Sequence, residues 1–362
     1  MIYLVVGARP NFIKIAPLIR EIKRQEIDYK LIHTGQHYDY KMSKIFFDEL
    51  GIPEPDIHLN VGSASHAVQT AKIMIEFEKV LEKPKPRLVI VVGDVNSTIA
   101  CALVAKKLFI KIAHIEAGLR SFDMKMPEEI NRILTDRISD LLFTTEESGK
   151  INLEREGIPV ENIFFVGNIM IDTLMVNLEK AKKLNLLDKY GLKSKEYALL
   201  TLHRPSNVDI QENLEEIIKI IDYLKKKIKI FFPAHPRTIK NLKKYGILNE
   251  LDSPNIIISE PVGYLEFINL IFNAKFILTD SGGIQEEASV LGIPILTLRE
   301  NTERPITVNK GTNEIIGRDL ELAKKYINQI LLDKFKNGKE IDKWDGKTAN
   351  RIVSVIIKKL DL

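Results

Sequence analysis

Short apolar runs alternate with amphipathic stretches from the start of this 362-residue chain. The first run, IYLVVG at residues 2–7, predicts a strand buried on both faces, because it lacks the polar alternation of a half-exposed strand. Residues 14–25 then repeat apolar side chains three and four positions apart, which predicts a helix. Further strands are predicted at YKLIHT, RLVIVVG, IKIAHI, LLFTT and IFFVG. The alternation is typical of a parallel sheet covered by helices on both faces.

The rhythm pauses after Gly167 and then starts again. A polar helical stretch at residues 171–196 is followed by new predicted strands at YALLTL, KIFFPA, NIIIS, KFILTD and IPILTL. We therefore predict two doubly wound α/β domains, an N-terminal one over residues 1–168 and a C-terminal one over residues 169–346. The last predicted helix, within residues 347–362, has an apolar face that fits either domain.

Composition narrows the class of protein. The hydrophobic share of 45% and the charged share of 28% are ordinary for a globular protein. A net charge of +4 is too small to indicate a nucleic-acid partner. Cys101 is the only cysteine, which excludes an intrachain disulfide and favours a reducing compartment. With no signal-peptide pattern and no apolar run long enough to cross a membrane, a cytoplasmic protein without a membrane partner is expected.

Parallel sheets of this kind bind ligands at the carboxyl ends of their strands, so the loops that follow the strands hold the candidate site. The best anion-binding signal there is TDSGGIQEEA, in which Ser281, Gly282 and Gly283 join a strand to a helix. Small residues let a phosphate reach the N–H groups at the helix start, where the helix dipole favours negative charge. A plain strand-to-helix turn with Ser281 as N-cap is the alternative. Glu287, about one turn on, is suited to ribose hydroxyls, or is an ordinary surface acid.

Other loop residues complete a predicted nucleotide site. His203 and His235 each follow a strand of the second domain and supply donors for phosphate oxygens. The segment from Val262 to Phe267 offers backbone groups and a ring for a flat base. From the first domain, Arg9 and Lys14 add positive charge.

Carboxylates at the strand ends of the first domain are candidates for the chemistry. Asp94, Glu116 and Glu128 stand at strand ends or at the helix start beyond, and Asp123 is less well placed. For any one of these acids taken alone, a structural role as an N-cap or as part of an ion pair is favoured over a catalytic role. Such pairs would join Glu116 to Arg120, and Glu129 to Arg132 or Arg137. The joint arrangement of these acids at the strand ends nevertheless favours a working site with acid and base groups.

Two cofactor classes are disfavoured. No GxGxxG follows the first strand, which argues against a nicotinamide dinucleotide. His33 and His37 have the spacing of a helical metal site, but Gly35 lies between them and a strand precedes them, so no metal is expected.

Taken in order, GARPNFIK, TGQH, GDVNST, HIEAGLRS, MPEEINR, HR, SGGIQEEA and TERP resemble the non-hydrolysing UDP-N-acetylglucosamine 2-epimerases, from Gly7 to about Gly317. The resemblance implies two Rossmann-like domains of the glycosyltransferase-B type with the active site in the interdomain cleft. It also implies interconversion of UDP-GlcNAc and UDP-ManNAc for glycan precursors, a homodimer, no cofactor, and a final helix that returns to the first domain.

The same resemblance assigns roles to positions of this chain. Asp94, Glu116 and Glu128 match the family's essential acids, with Arg9, Lys14 and His203 on the catalytic or phosphate side. The matching UDP or substrate contacts are His235, Val262, Phe267, Ser281, Gly282, Gly283, Glu287 and Arg304. Gln36 and His37 match the region that holds an activating UDP-GlcNAc in bacterial members. Pro205 and Ser206 depart from the polar residues of many bacterial members, which puts that activator site in doubt.

Two other functions stay open at this stage. A glycosyltransferase of the same fold would release UDP and need an acceptor, because a fold does not fix its chemistry. A sugar-nucleotide sensor would keep the nucleotide residues without needing three acids.

Overall fold

A computed structural model describes residues 1–36, 49–82 and 84–362. The chain forms two compact units: Met1–Met175 with Asp342–Leu362, and Val176–Ile341. Each unit contains one parallel sheet with helices packed on it. The predicted fold class, two doubly wound α/β domains, is confirmed.

In the described part of unit 1, seven parallel strands lie in the order β3-β2-β1-β4-β5-β6-β7. They are β1 (Ile2–Val6), β2 (Tyr29–His33), β3 (Ile57–His58), β4 (Leu88–Val92), β5 (Lys111–Ala117), β6 (Leu141–Thr144) and β7 (Ile163–Phe165). The helices are α1 (Arg9–Arg24), α2 (His66–Leu81), α3 (Asn96–Lys107), α4 (Pro127–Ile138), α5 (Glu147–Arg155), α6 (Ile169–Lys182), which continues into unit 2, and the C-terminal helix α15 (Thr348–Leu360).

Unit 2 repeats this plan with six parallel strands in the order β10-β9-β8-β11-β12-β13. They are β8 (Tyr197–Thr201), β9 (Lys229–Pro233), β10 (Ile256–Ser259), β11 (Phe276–Thr279), β12 (Ile295–Thr297) and β13 (Asn313–Ile315). The helices are α7 (Leu186–Lys189), α8 (Pro205–Val208), α9 (Gln211–Leu224), α10 (Pro236–Lys244), α11 (Tyr264–Asn273), α12 (Gly282–Val290), α13 (Pro305–Asn309) and α14 (Leu320–Leu331).

The open question about the last helix is resolved in favour of unit 1, where α15 packs against α1. Its first turn is capped by a side chain from another helix: the buried carboxylate of Asp172 accepts hydrogen bonds from the backbone N–H groups of Thr348 (3.0 Å) and Ala349 (2.7 Å). These bonds satisfy two of the N–H groups that a helix start leaves without partners.

Both sheets reverse their strand order at one point, between β1 and β4 in unit 1 and between β8 and β11 in unit 2. The loops that leave neighbouring strands diverge there, so a parallel sheet opens a binding crevice at its carboxyl edge. Asp94 follows β4, while His203 follows β8 and Ser281 follows β11. None of the helices that the structure describes has the length and apolar character to span a bilayer.

Candidate active site

Glu116 projects from an irregular point of β5. Its backbone is in the left-handed region, with a φ of +72°, and the register between β5 and β6 shifts between Ile115 and Ala117. A shift of this kind turns a side chain out of the regular alternation of a strand, and it is frequent beside active sites. The carboxylate is buried and forms an ion pair with Lys14 of α1. The structural alternative of a Glu116–Arg120 pair is wrong, because Arg120 contacts Asp136 and Glu156 instead.

Gly93 borders this ion pair. A Cβ atom at this glycine would lie 3.4 Å from Nζ of Lys14 and 3.6 Å from Oε2 of Glu116. Its φ of +69° also lies in the region that favours glycine. The Lys14–Glu116 pair and the loop after β4 therefore meet at one place at the carboxyl edge of the sheet.

Asp94, the next residue, forms an ion pair with Arg132 of α4. Arg132 also contacts Glu129 at 2.7 Å, which confirms that sequence-based alternative. Glu129 in turn accepts hydrogen bonds from the backbone N–H groups of Ser121 (3.0 Å) and Phe122 (2.9 Å) and fixes the loop after β5. Glu128, in the first turn of the same helix, is half-buried. Helix α4 thus carries Glu128 and, through the charge of Arg132, also holds Asp94.

Asp280 organises the first strand-end loop of unit 2, although the sequence did not single it out. Its buried carboxylate accepts hydrogen bonds from the backbone N–H groups of His203 (3.0 Å) and Arg204 (2.9 Å), and lies 2.9 Å from Nδ1 of His203. Burial raises the pKa of Asp280, but these bonds and the His203 ring outweigh it and lower the pKa below its usual range. An ionised Asp280 makes Nδ1 a donor and leaves Nε2 directed away from it.

The second histidine is also held through Nδ1, but there Nδ1 accepts a hydrogen bond. His235 is exposed and caps the start of α10, where its Nδ1 accepts a hydrogen bond from the backbone N–H of Arg237 at 3.1 Å. In the neutral ring Nε2 then carries the proton. The His203 and His235 ring centroids are 6.2 Å apart, so the two side chains are neighbours at the end of the sheet.

The predicted anion site lies at the start of α12. Ser281 is the N-cap, but its side chain makes no capping hydrogen bond, so the predicted serine cap is absent. A Cβ at Gly282 would lie 3.1 Å from a terminal nitrogen of Arg304. Arg304 itself lies 2.6 Å from Glu286 of α12. Small residues at 282 and 283, a helix start and a guanidinium therefore come together here, as an anion requires.

Glu287 is a buried carboxyl group within α12 and accepts a hydrogen bond from the Tyr264 hydroxyl at 2.8 Å. Burial is the main reason that its pKa is raised to about 7. The hydrogen bond from Tyr264 lowers the pKa, and the negative charge of Glu286 raises it further. Val262 and Phe267 are half-buried and pack against the apolar core of unit 2. The surface-acid alternative for Glu287 is therefore wrong.

We expect this carboxyl to make stability depend on pH. Its pKa is about 7 when folded against 4.5 ordinarily, so the folded state binds the proton more tightly and stability falls as pH rises through this interval. The loss amounts to at most about 3 kcal/mol. Urea unfolding between pH 5 and 8 should show a smaller fall for Glu287→Gln than for the wild type. Glu260→Gln, at an exposed position, should retain the wild-type slope, and equal slopes for all three proteins would contradict the assignment.

The remaining predicted positions are placed as follows. Gln36 is buried, and its side-chain oxygen accepts hydrogen bonds from the backbone N–H (3.0 Å) and hydroxyl (2.6 Å) of Ser97, which ties the end of β2 to α3. His37 lies outside the described residues, as does the side chain of Arg9, whose backbone begins α1. An activator site at Gln36 and His37 stays a prediction. Within residues 1–36, 49–82 and 84–362, no group of three or more His, Cys, Asp or Glu side chains is placed to hold a metal ion.

Comparisons with known proteins support one chemistry. A family model described as UDP-N-acetylglucosamine 2-epimerase matches residues 20–357. The UDP-N-acetylglucosamine 2-epimerase of Methanocaldococcus jannaschii is 48% identical over 361 residues, which cover 98% of each chain. The UDP-2,3-diacetamido-2,3-dideoxy-D-glucuronate 2-epimerase of Pseudomonas aeruginosa is 40% identical over 341 residues, covering 92% of this chain and 94% of that one.

A solved structure matches as well. The crystal structure of the M. jannaschii UDP-GlcNAc 2-epimerase in complex with UDP-GlcNAc and UDP superposes with a TM-score of 0.90, at 47% identity and with 99% of each chain covered. The likeness extends over both units, so the pair of Rossmann-like folds of the glycosyltransferase-B type is common to the two proteins.

Proposed function

This chain belongs to the UDP-N-acetylglucosamine 2-epimerase family, and on that premise we propose that it interconverts UDP-GlcNAc and UDP-ManNAc by inverting C2 of the sugar. The observation that carries the proposal is the division of side chains between the units. In unit 1, Glu116 with its buried lysine and Asp94 lie at the carboxyl edge of the sheet, and Glu128 lies on the helix that pairs with Asp94. In unit 2, two neighbouring histidines and the glycine-rich helix start follow strands of the other sheet.

The reaction calls for elimination because the C2 proton is not next to a ketone. A base removes this proton, a C1=C2 double bond forms, and the bond from C1 to the diphosphate oxygen breaks. UDP leaves with the electron pair, and 2-acetamidoglucal remains. Protonation of C2 from the opposite face and re-addition of UDP at C1 complete the inversion, and no oxidant or reductant is consumed.

Unit 2 is suited to the departing diphosphate. His235 presents Nε2–H, and His203 in its imidazolium form donates through Nδ1 to Asp280 and through Nε2 to the diphosphate. The helix start at Gly282 and Gly283 adds backbone N–H groups beside Arg304. Such donors stabilise negative charge that grows as the C1–O bond breaks, and they act more strongly on the transition state than on the substrate. Ser281 completes this turn. Glu287 is proposed to bind the ribose hydroxyls, and Val262 and Phe267 to contact the base.

Unit 1 is suited to the proton transfers. We assign the base and acid roles to Asp94, Glu116 and Glu128 without assigning faces of the sugar. Lys14 compensates the buried charge of Glu116, and Arg132 pairs with the partly exposed carboxylate of Asp94. Arg9 is proposed to contact the diphosphate together with Lys14.

The decisive experiment follows UDP-GlcNAc by NMR in D2O with the purified protein and no acceptor. We expect UDP-ManNAc to appear and deuterium to accumulate at C2 in both sugars, because the removed proton exchanges with solvent. Release of free UDP without an epimer would favour a glycosyltransferase or hydrolase, and binding without turnover would favour a sensor. A second incubation with UDP-2,3-diacetamido-2,3-dideoxy-glucuronate tests the substrate of the P. aeruginosa relative, and exclusive turnover of that sugar would overturn the proposed substrate.

A further inference from the structure

His114 is a fully buried residue of β5, two positions before Glu116, and both of its ring nitrogens have partners. Nδ1 lies 2.6 Å from a carboxylate oxygen of Asp136, on α4, and Nε2 lies 2.8 Å from the backbone carbonyl oxygen of Gly93. The ring thus joins helix α4 to the loop that contains Asp94.

The partners fix the protonation of the ring. A carbonyl oxygen only accepts hydrogen bonds, so Nε2 carries a proton. Asp136 is also an acceptor, because its other oxygen receives the backbone N–H of Gly118 at 3.0 Å and the Arg120 guanidinium at 2.7 Å. The Arg120 guanidinium and the Gly118 N–H both donate to this buried carboxyl group, and these donors favour its ionised form. Both ring nitrogens therefore donate, and His114 is an imidazolium.

The charges around the ring balance. Arg120 contacts Asp136 and also Glu156, whose carboxylate lies 2.7 Å from it. Two cations and two carboxylates thus form one cluster, and a buried charge persists only when it is paired in this way. A neutral side chain at position 114 would leave the cluster with one excess negative charge.

The carbonyl that the ring holds belongs to the turn that positions Asp94. The N–H of Gly93 donates to the carbonyl of Ile115 at 3.0 Å, and the side-chain amide of Asn131 donates to the carbonyl of Asp94 at 2.9 Å. Together with the Asp94–Arg132 ion pair, these bonds fix both peptide groups of the turn relative to β5 and α4.

We propose that His114 is a positioning residue that couples helix α4 to the Gly93–Asp94 turn and so sets the place of Asp94 relative to Glu116 and Glu128. Its effect on turnover rests on the proposed function. Its bonding does not, because both hydrogen bonds are made within unit 1.

Two substitutions separate positioning from charge compensation. The amide nitrogen of glutamine reaches the place of Nε2, and that of asparagine the place of Nδ1. We expect His114→Gln to retain the bond to Gly93 and to keep kcat within about fivefold, and His114→Asn to lose it and to lower kcat on the order of a hundredfold. The KM for UDP-GlcNAc should change less than about threefold, because neither variant touches the nucleotide side. His58→Asn, at an exposed histidine of the same sheet, should leave kcat unchanged.

The opposite ranking, with asparagine the more active, would assign His114 to compensating Asp136 and overturn the proposal, as would equal losses in two folded variants. Nitrogen-15 NMR of the wild-type imidazole supplies a test that needs neither variant. We expect each ring nitrogen to be coupled to a directly bonded proton, and a ring nitrogen without one would refute the imidazolium. If the wild type does not epimerise UDP-GlcNAc, the proposed function fails, while this spectrum still decides the state of His114.

Discussion

Glu116→Gln is expected to lower turnover of UDP-GlcNAc on the order of a hundredfold or more, the usual contribution of a positioned acid or base. The amide has the shape of the carboxylate but does not take up the C2 proton. Deuterium incorporation at C2 should fall by the same factor as epimer formation, because both need that proton transfer. Initial rates and NMR of the C2 position measure the two effects.

Because Glu116 is paired with Lys14, the single substitution is also expected to destabilise the protein. A double substitution that removes both charges is the control for this loss of stability. Removing one partner of a buried pair costs about 3–5 kcal/mol of stability, because the remaining charge is left without compensation. Lys14→Met combined with Glu116→Gln removes both charges, so we expect it to recover much of the free energy of unfolding but none of the activity. Glu161→Gln, at an exposed position, should behave as the wild type. Near-normal turnover of a folded Glu116→Gln protein would make Glu116 a structural residue.

Much of the fold is predictable because its strands are buried on both faces. Runs such as residues 88–92 contain only apolar side chains, and all five are buried in the structure. The strands that the pattern missed are short: β3 has two residues, and β13, Asn313–Ile315, has one apolar side chain among its three. Helix α1 begins at Arg9, five positions before the predicted residue 14, because a proline in the first turn does not interrupt a helix.

The site is predictable only as far as single positions go. The side chains at the strand ends were found because parallel sheets bind ligands there. Their partners were not, since Lys14 is 102 residues from Glu116 and Asp280 is 77 residues from His203. Hydrophobic periodicity carries no information on pairs at such separations. The left-handed backbone of Glu116 was equally hidden, because that region is uncommon for a residue other than glycine.

Asp280→Asn is the second change for which we expect a large effect, a fall in kcat/KM on the order of a thousandfold. Asp280 accepts from two backbone N–H groups and from Nδ1 of His203, and an asparagine would turn its amide nitrogen toward one of these donors. The His203 ring would then lose the orientation that directs Nε2 outward. The variant should also bind UDP more weakly, which calorimetry measures directly.

Asp280→Asn should also change how the free energy of unfolding depends on pH in the acid range, which an unrelated defect would not do. The pKa of Asp280 is lowered on folding, so its contribution to stability is present above its unfolded pKa and is lost as pH falls through the folded value. Asparagine does not titrate, so the variant should be less stable than the wild type near neutral pH and should approach it in acid. Asp252→Asn, at an exposed position, should keep both the kinetics and the acid transition of the wild type. A folded Asp280→Asn protein with wild-type kcat/KM would show that the position of His203 does not depend on this carboxylate.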